Sequence, residues 1–124
     1  MSPVALVVDD SMLIRHTVCR YLQERGFEVE SATNGADALE VLAQVRPDII
    51  VTDLNMPKMS GHELITALKA NPDTAEIPVV VIAAKRTSTD GEMETRAQYV
   101  IYKDIAIDEQ LERAITALTN HGKK

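Results

Sequence analysis

The sequence predicts an α/β domain, a doubly wound parallel sheet of five strands with helices on both faces. Three observations carry this reading. Short apolar runs rich in β-branched residues recur along the chain, each bounded by turn residues. Between them lie longer stretches with apolar residues at helical spacing. The two alternate regularly, strand then helix, five times over, and parallel strands need such crossovers.

Val4-Ala5-Leu6-Val7-Val8 is continuous and apolar, as in a strand buried on both sides. Ser11 can cap the next segment, where Ile14, Val18 and Leu22 share a helical face, and Gly26 stops it. Phe27 to Ala32 (FEVESA) alternates apolar and polar, which predicts a half-buried edge strand. From Gly35 to Val45, Leu39, Leu42 and Val45 form a second stripe, broken by Pro47. Asp48 to Thr52 is a third strand ending at Asp53, followed by LNMPKMSG with turn chemistry at Pro57 and Gly61. Leu64, Ile65 and Leu68 mark a third helix that ends near Asn71-Pro72. Pro78 precedes the most hydrophobic strand, Val79 to Ala84. The segment Lys85 to Gln98 is polar and holds Gly91, so its helix, the fourth, is expected to be short or irregular. Tyr99 to Tyr102 is a fifth strand ending at Lys103. The last helix carries Ile107, Leu111, Ile115 and Leu118 on one face, and Asp108 and Glu109 at its positive end. The tail from Gly122 is expected to be disordered.

With 124 residues and a hydrophobic fraction of 45%, the chain has the makings of one core, and residues 1–124 are read as a single domain without a second, output domain. The net charge of −6 argues against direct binding of nucleic acid or of an anionic membrane surface. Cys19 is the single cysteine, which leaves no intramolecular disulfide, and it reads as a small, partly buried residue. No secretory leader is expected, since a strand-like run begins at Val4, and no apolar run nears the roughly 20 residues needed to span a bilayer. A cytoplasmic protein is expected.

In an open parallel sheet, ligands bind where the carboxyl ends of the strands meet their loops. Asp9 and Asp10 close the first strand, Asp53 the third and Lys103 the fifth. With strands ordered 2-1-3-4-5, as in flavodoxin-like sheets, the first and third are neighbours and the three acids converge. Two like charges about 4 Å apart repel by roughly 4 kcal/mol at an effective dielectric near 20. Such a group calls for a cation or raised pKa values. Mg²⁺ suits oxygen-only donors and often takes a phosphate oxygen as well. With Lys103 adding positive charge, the set fits phosphoryl transfer, in which catalysis is mainly charge neutralisation and positioning. Each residue alone has an ordinary explanation: a helix start, a turn acid, a solvated lysine. Their placement at three strand ends does not. Metal-ligand spacing is lacking among His16, His62 and His121, and Met12, Met56 and Met59 are expected to pack near the site or shield it. No glycine-rich phosphate loop supports a P-loop or nicotinamide-binding enzyme.

At VVDDS (Val7 to Ser11), DIIVTDLNMPKMSG (Asp48 to Gly61), AEIPVVVIAA (Ala75 to Ala84) and Lys103, the sequence resembles the response-regulator receiver family of two-component signalling, over nearly its whole length. The resemblance implies the (βα)5 receiver fold and a phosphoacceptor at Asp53. It implies Mg²⁺ held by Asp10 and Asp53, by Asp9 mostly through water, and by the backbone carbonyl of Asn55. Lys103 would pair with the phosphate. The donor would be a phosphohistidine on a sensor histidine kinase or a histidine phosphotransfer protein, and a downstream protein target would read the result. The chain would catalyse only its own phosphorylation and dephosphorylation, as a monomer or a phosphorylation-dependent dimer.

The sequence departs from the family pattern at the switch positions. Ala83 stands where Thr or Ser is usual. Asp104 replaces the proline after the lysine, where a cis bond before a non-proline residue would cost about 2.5–4 kcal/mol. Val100 takes the place of the switch aromatic, with Tyr99 and Tyr102 expected on the opposite face of the strand. Thr87, Ser88 and Thr89 fall too far along the loop to supply the hydroxyl, whereas Lys85 or Arg86 could reach a phosphate. These departures leave an alternative, a pseudo-receiver acting as a constitutive protein-interaction module. A small metal-dependent phosphatase is a weaker third, because no general acid is evident.

Overall fold

Five short strands pair into one parallel sheet. The computed structural model describes residues 2–56, 58–83, 97–103 and 106–122. Among these the order is β1 (Val4–Val8), α1 (Met12–Glu24), β2 (Glu28–Ala32), α2 (Gly35–Leu42), β3 (Ile49–Asp53), α3 (Gly61–Ala70), β4 (Val79–Ala83), β5 (Tyr99–Tyr102) and α4 (Ile107–Gly122). The strands lie in the predicted order β2-β1-β3-β4-β5, and every pair is parallel.

The pleat sends alternate residues to opposite sides and so builds two cores. Ala5, Val7, Val51, Val80, Ile82 and Ile101 pack on Val18 and Leu22 of α1 and on Leu111 and Ile115 of α4. Leu6, Val8, Ile50, Val79 and Val81 face Ala38 of α2 and Leu64, Ile65 and Leu68 of α3. Strands covered on both sides have no polar face to show, which is why β1, β3 and β4 read as unbroken apolar runs. Leu6, Ile50 and Leu64 are fully buried, and each such side chain contributes about 2 kcal/mol. At the edge, β2 exposes Glu28, Glu30 and Ser31, as the alternation of FEVESA predicts. Charges there discourage pairing with another chain.

The helix starts follow from their caps. Ser11 Oγ accepts from Ile14 N at 3.3 Å. Ser60 Oγ accepts from Glu63 N at 3.2 Å while Glu63 Oε1 accepts from Ser60 N at 2.9 Å, a reciprocal capping box. Ser60→Ala should lower the unfolding free energy by about 1 kcal/mol in urea titration, and Ser60→Asp should restore most of the loss.

Some expectations need correction. The second helix ends at Leu42, short of Val45, because Gln44 N bonds back to Val41 O and tightens the chain into a last turn. The third strand begins at Ile49 and includes Asp53. The last helix continues through Gly122; Lys123 and Lys124 lie outside the described residues. Tyr102 is not opposite Val100. Tyr99 and Ile101 pack toward α1 and α4, Val100 packs the other way, and Tyr102, two residues on, shares the side of Val100. The expected fourth helix falls almost wholly on residues 84–96, outside those described, as do Thr87, Ser88, Thr89, Lys85 and Arg86.

Candidate phosphorylation site

Strand order decides which side chains meet. β1 and β3 are neighbours whose following helices, α1 and α3, pack on opposite faces. In open parallel sheets ligands bind outside the carboxyl ends of such a strand pair. Val8 pairs with Thr52 and Asp53 with Ile82, so Asp9, Asp10 and Asp53 emerge at one rim. An oxygen from each lies within 4.8 Å of the others. Lys103, just past β5, reaches across the end of β4. Its Nζ is 3.2 Å from Asp53 Oδ2 and 3.5 Å from Asp9 Oδ2.

Backbone groups hold this arrangement. Asp9 Oδ1 accepts from Ser11 N at 2.8 Å, and Arg15 Nη1 donates to the Asp9 carbonyl at 2.9 Å. Asp53 Oδ1 accepts from Leu54 N at 2.8 Å and from Asn55 N at 3.5 Å. That places the backbone of Asn55 at the site. The loop between β3 and α3 is tied at two points, Gly61 N to Leu54 O at 2.8 Å and Gly35 N to Met59 O at 3.0 Å. Lys58 within it adopts a left-handed φ of 66°. Met59 packs against Gly35 and Met56 against the α2 and α3 side of the core. Met12 is exposed.

Asp9 and Asp53 are buried, whereas Asp10 is exposed. Burial pushes the Asp53 carboxyl above its ordinary 3.8, and the Lys103 ammonium and the loop N–H groups offset only part of this. Burial likewise raises Asp9; the Ser11 N–H opposes it, and the negative charge of Asp53 adds to it. Burial alone would lower Lys103, but Asp53 and Asp9 outweigh it and hold the ammonium charged. Among the described residues the three carboxylates meet one ammonium, that of Lys103, which pairs with Asp9 and Asp53. Asp9 Oδ2 is buried without a well-formed hydrogen bond among the described residues, with Lys103 Nζ at the limit of reach. An oxygen-only donor set with surplus negative charge and an unsatisfied buried oxygen fits a hard divalent cation such as Mg²⁺.

The model of the response regulator receiver domain family matches residues 5–116. The chain belongs to the response regulator receiver family. It is 36% identical over 123 residues to the transcriptional regulatory protein PrrA of Mycobacterium leprae (strain TN), covering 98% of this chain and 52% of that protein. The receiver domain thus spans about half the length of the curated relatives it matches. Among solved structures it is similar to the signal receiver domain of a signal transduction histidine kinase from Syntrophus aciditrophicus. The TM-score there is 0.88 at 30% identity, covering 99% of this chain and 94% of that one. The chemotaxis response regulator CheY4 of Vibrio cholerae gives a TM-score of 0.82, also at 30% identity, covering 94% and 98%.

Ala83, the position expected to hold Thr or Ser, is buried at the end of β4, and its carbonyl accepts from Lys103 N at 2.9 Å. Its methyl group offers no hydrogen bond. Val100 is half-buried against the α2 and α3 side of the core. Asp104 lies outside the described residues. The strand-end pattern brings Asp9, Asp10, Asp53 and Lys103 to one rim and the resemblance adds Asn55, but neither points to Arg15 or Gln110. The signal for Gln110 was available: it interrupts the apolar arc Ile107, Leu111, Ala114, Ile115 at a position where that arc predicts burial.

Proposed function

We propose that this receiver domain takes a phosphoryl group onto Asp53 from a phosphohistidine donor, with Mg²⁺, and signals by binding a downstream protein in one phosphorylation state. The observation that carries the reading is the meeting of Asp9, Asp10 and Asp53 within 4.8 Å beside a lysine 3.2 Å from Asp53. An Asp53 carboxylate oxygen attacks phosphorus as the P–N bond of the donor breaks. The imidazole keeps that electron pair and later takes a proton, and an acyl phosphate forms. Lys103 then stands beside the new negative charge of about −2. Asp10 and Asp53 would hold the metal through carboxylate, Asp9 mostly through water and Asn55 through its carbonyl. When bound, Mg²⁺ neutralises charge on the transferring oxygens. Hydrolysis of the acyl phosphate by water returns Asp53 and releases inorganic phosphate, so the chain acts on itself alone.

The donor class, a sensor histidine kinase or a histidine phosphotransfer protein, belongs to this proposal, as do a cytoplasmic location and a monomer that could dimerise on phosphorylation. No described helix is long and apolar enough to cross a membrane. Incubation with acetyl phosphate and Mg²⁺ should add the mass of one phosphoryl group to the chain and none to Asp53→Asn. No gain from acetyl phosphate, phosphoramidate or a phosphohistidine protein would reject the proposal. A mass gain that leaves partner affinity unchanged would favour the constitutive-module alternative.

A further inference from the structure

Gln110 is a buried polar residue on the sheet-facing side of α4, among Ile107, Leu111, Ala114 and Ile115. Its amide presents an acceptor and a donor side by side, as a strand edge does. It turns both to Tyr102 of β5, while the same Nε2 also donates to Ala106 O at 3.4 Å. Tyr102 N donates to Gln110 Oε1 at 2.9 Å, and Gln110 Nε2 donates to Tyr102 O at 2.7 Å. β5 is an edge strand, and its inner side bonds to β4. The chain leading into Lys103 is therefore held from two sides. Gln110 grips Tyr102 on the outer edge, and Ala83 O holds Lys103 N on the inner edge at 2.9 Å.

A lysine stem has four rotatable carbons and does not position its own head group. Nζ stays 3.2 Å from Asp53 and 3.5 Å from Asp9 only while its backbone is fixed. We propose that Gln110 is a positioning residue for Lys103, acting through its two hydrogen bonds to Tyr102 to hold the lysine ammonium over Asp53. This rests on the reading of Asp53 as phosphoacceptor with Lys103 as its cation. Covering an open sheet edge is the purely structural role from which it must be separated.

Gln110→Met keeps the length of the side chain and removes the amide. At a temperature where circular dichroism shows the variant folded, its phosphorylation by acetyl phosphate at saturating Mg²⁺ should fall about tenfold. Mg²⁺ affinity should be unchanged, since the amide bonds to the backbone of Tyr102 rather than to the carboxylates. In a Lys103→Ala background the same substitution should cause no further fall, which a merely structural role would not predict. The Lys103 side-chain ammonium and Cε signals in NMR should shift in Gln110→Met. An equal fall with and without Lys103, or an unchanged rate with unchanged Lys103 signals, overturns the proposal. If the wild-type chain itself takes no phosphoryl group, the functional reading fails, and the Lys103 signals alone decide the positioning role. Should Gln110→Met not fold, Gln110→Glu, which keeps the acceptor for Tyr102 N and loses the donor, is read in the same way.

Discussion

Gly61→Ala is expected to lower the unfolding free energy by about 3 kcal/mol and to slow phosphorylation of Asp53. A Cβ at residue 61 would collide with the carbonyl oxygen of Asp53 and lie 2.8 Å from Leu54 Cα. Both are backbone atoms of the turn that begins at Asp53, so no rotamer change relieves the clash. Either α3 or the turn must move, and the bond from Gly61 N to Leu54 O at 2.8 Å goes with it. Alanine is the better helix former by about 1 kcal/mol, which does not offset such an overlap. Two other glycines serve as internal controls. At Gly35 the added atom meets Met59 Cγ at 2.6 Å and the Met59 carbonyl oxygen at 2.9 Å, so backbone must shift there too, but the overlap is shallower than at Gly61 and a smaller loss follows. At Gly26 nothing lies within 4 Å, and only the left-handed φ of 91° resists, at about 1 kcal/mol. Urea denaturation of the three variants should give that order. A Gly61→Ala protein within about 0.5 kcal/mol of wild type would mean that the turn is softer than its contacts imply.

The fold was legible because its determinants are local and repetitive. Ala5 to Val8, Ile49 to Val51 and Val79 to Ala83 are covered on both sides, and burial of that kind writes itself as an unbroken apolar run. The convergence of Asp9 and Asp53 was legible for a different reason. Once β1 and β3 are neighbours, any residue ending either strand falls at one rim. Less legible was whatever depends on a single three-dimensional contact. In LNMPKMSG the glycine looks like the turn residue, yet Gly61 is needed for close approach, and the left-handed conformation falls on Lys58. Gln110 shows in the sequence as a polar break in an apolar arc, but its partner appears only once the edge of β5 is placed against it. The error over Tyr102 was of another kind, because the period of two already gave the answer. At Val45 the apolar spacing outlasts the helix, because the bond from Gln44 N back to Val41 O closes α2 before the pattern ends.

Divalent cation and acid should act on the same two buried carboxylates. In metal-free protein Asp9 and Asp53 both have folded pKa values above the 3.8 of the unfolded chain. The folded state therefore binds their protons more tightly, and their charged forms cost stability at neutral pH. That cost is present in full above the folded pKa values. It is relieved as pH falls through them, and below 3.8 the relief is complete. Lys103 has the opposite dependence. With its folded pKa raised above 10.5, its contribution is full below 10.5 and lost as pH rises through the folded value. Removing the charge at Asp53 while keeping its shape should then stabilise the chain. In chelator at neutral pH, Asp53→Asn is expected to unfold at a higher urea concentration than wild type, by roughly 1–2 kcal/mol in free energy. The advantage should shrink toward pH 4. Mg²⁺ reverses the order. A ligand at about 100 times its dissociation constant adds about 2.7 kcal/mol to the state that binds it, and Asp53→Asn lacks one of the carboxylates that would bind it. Wild type should thus be the weaker protein in chelator and the stronger in saturating Mg²⁺. If Asp53→Asn is the less stable in chelator at pH 7, the pairing of Asp53 with Lys103 outweighs its burial, and the need of this pocket for a cation is not electrostatic.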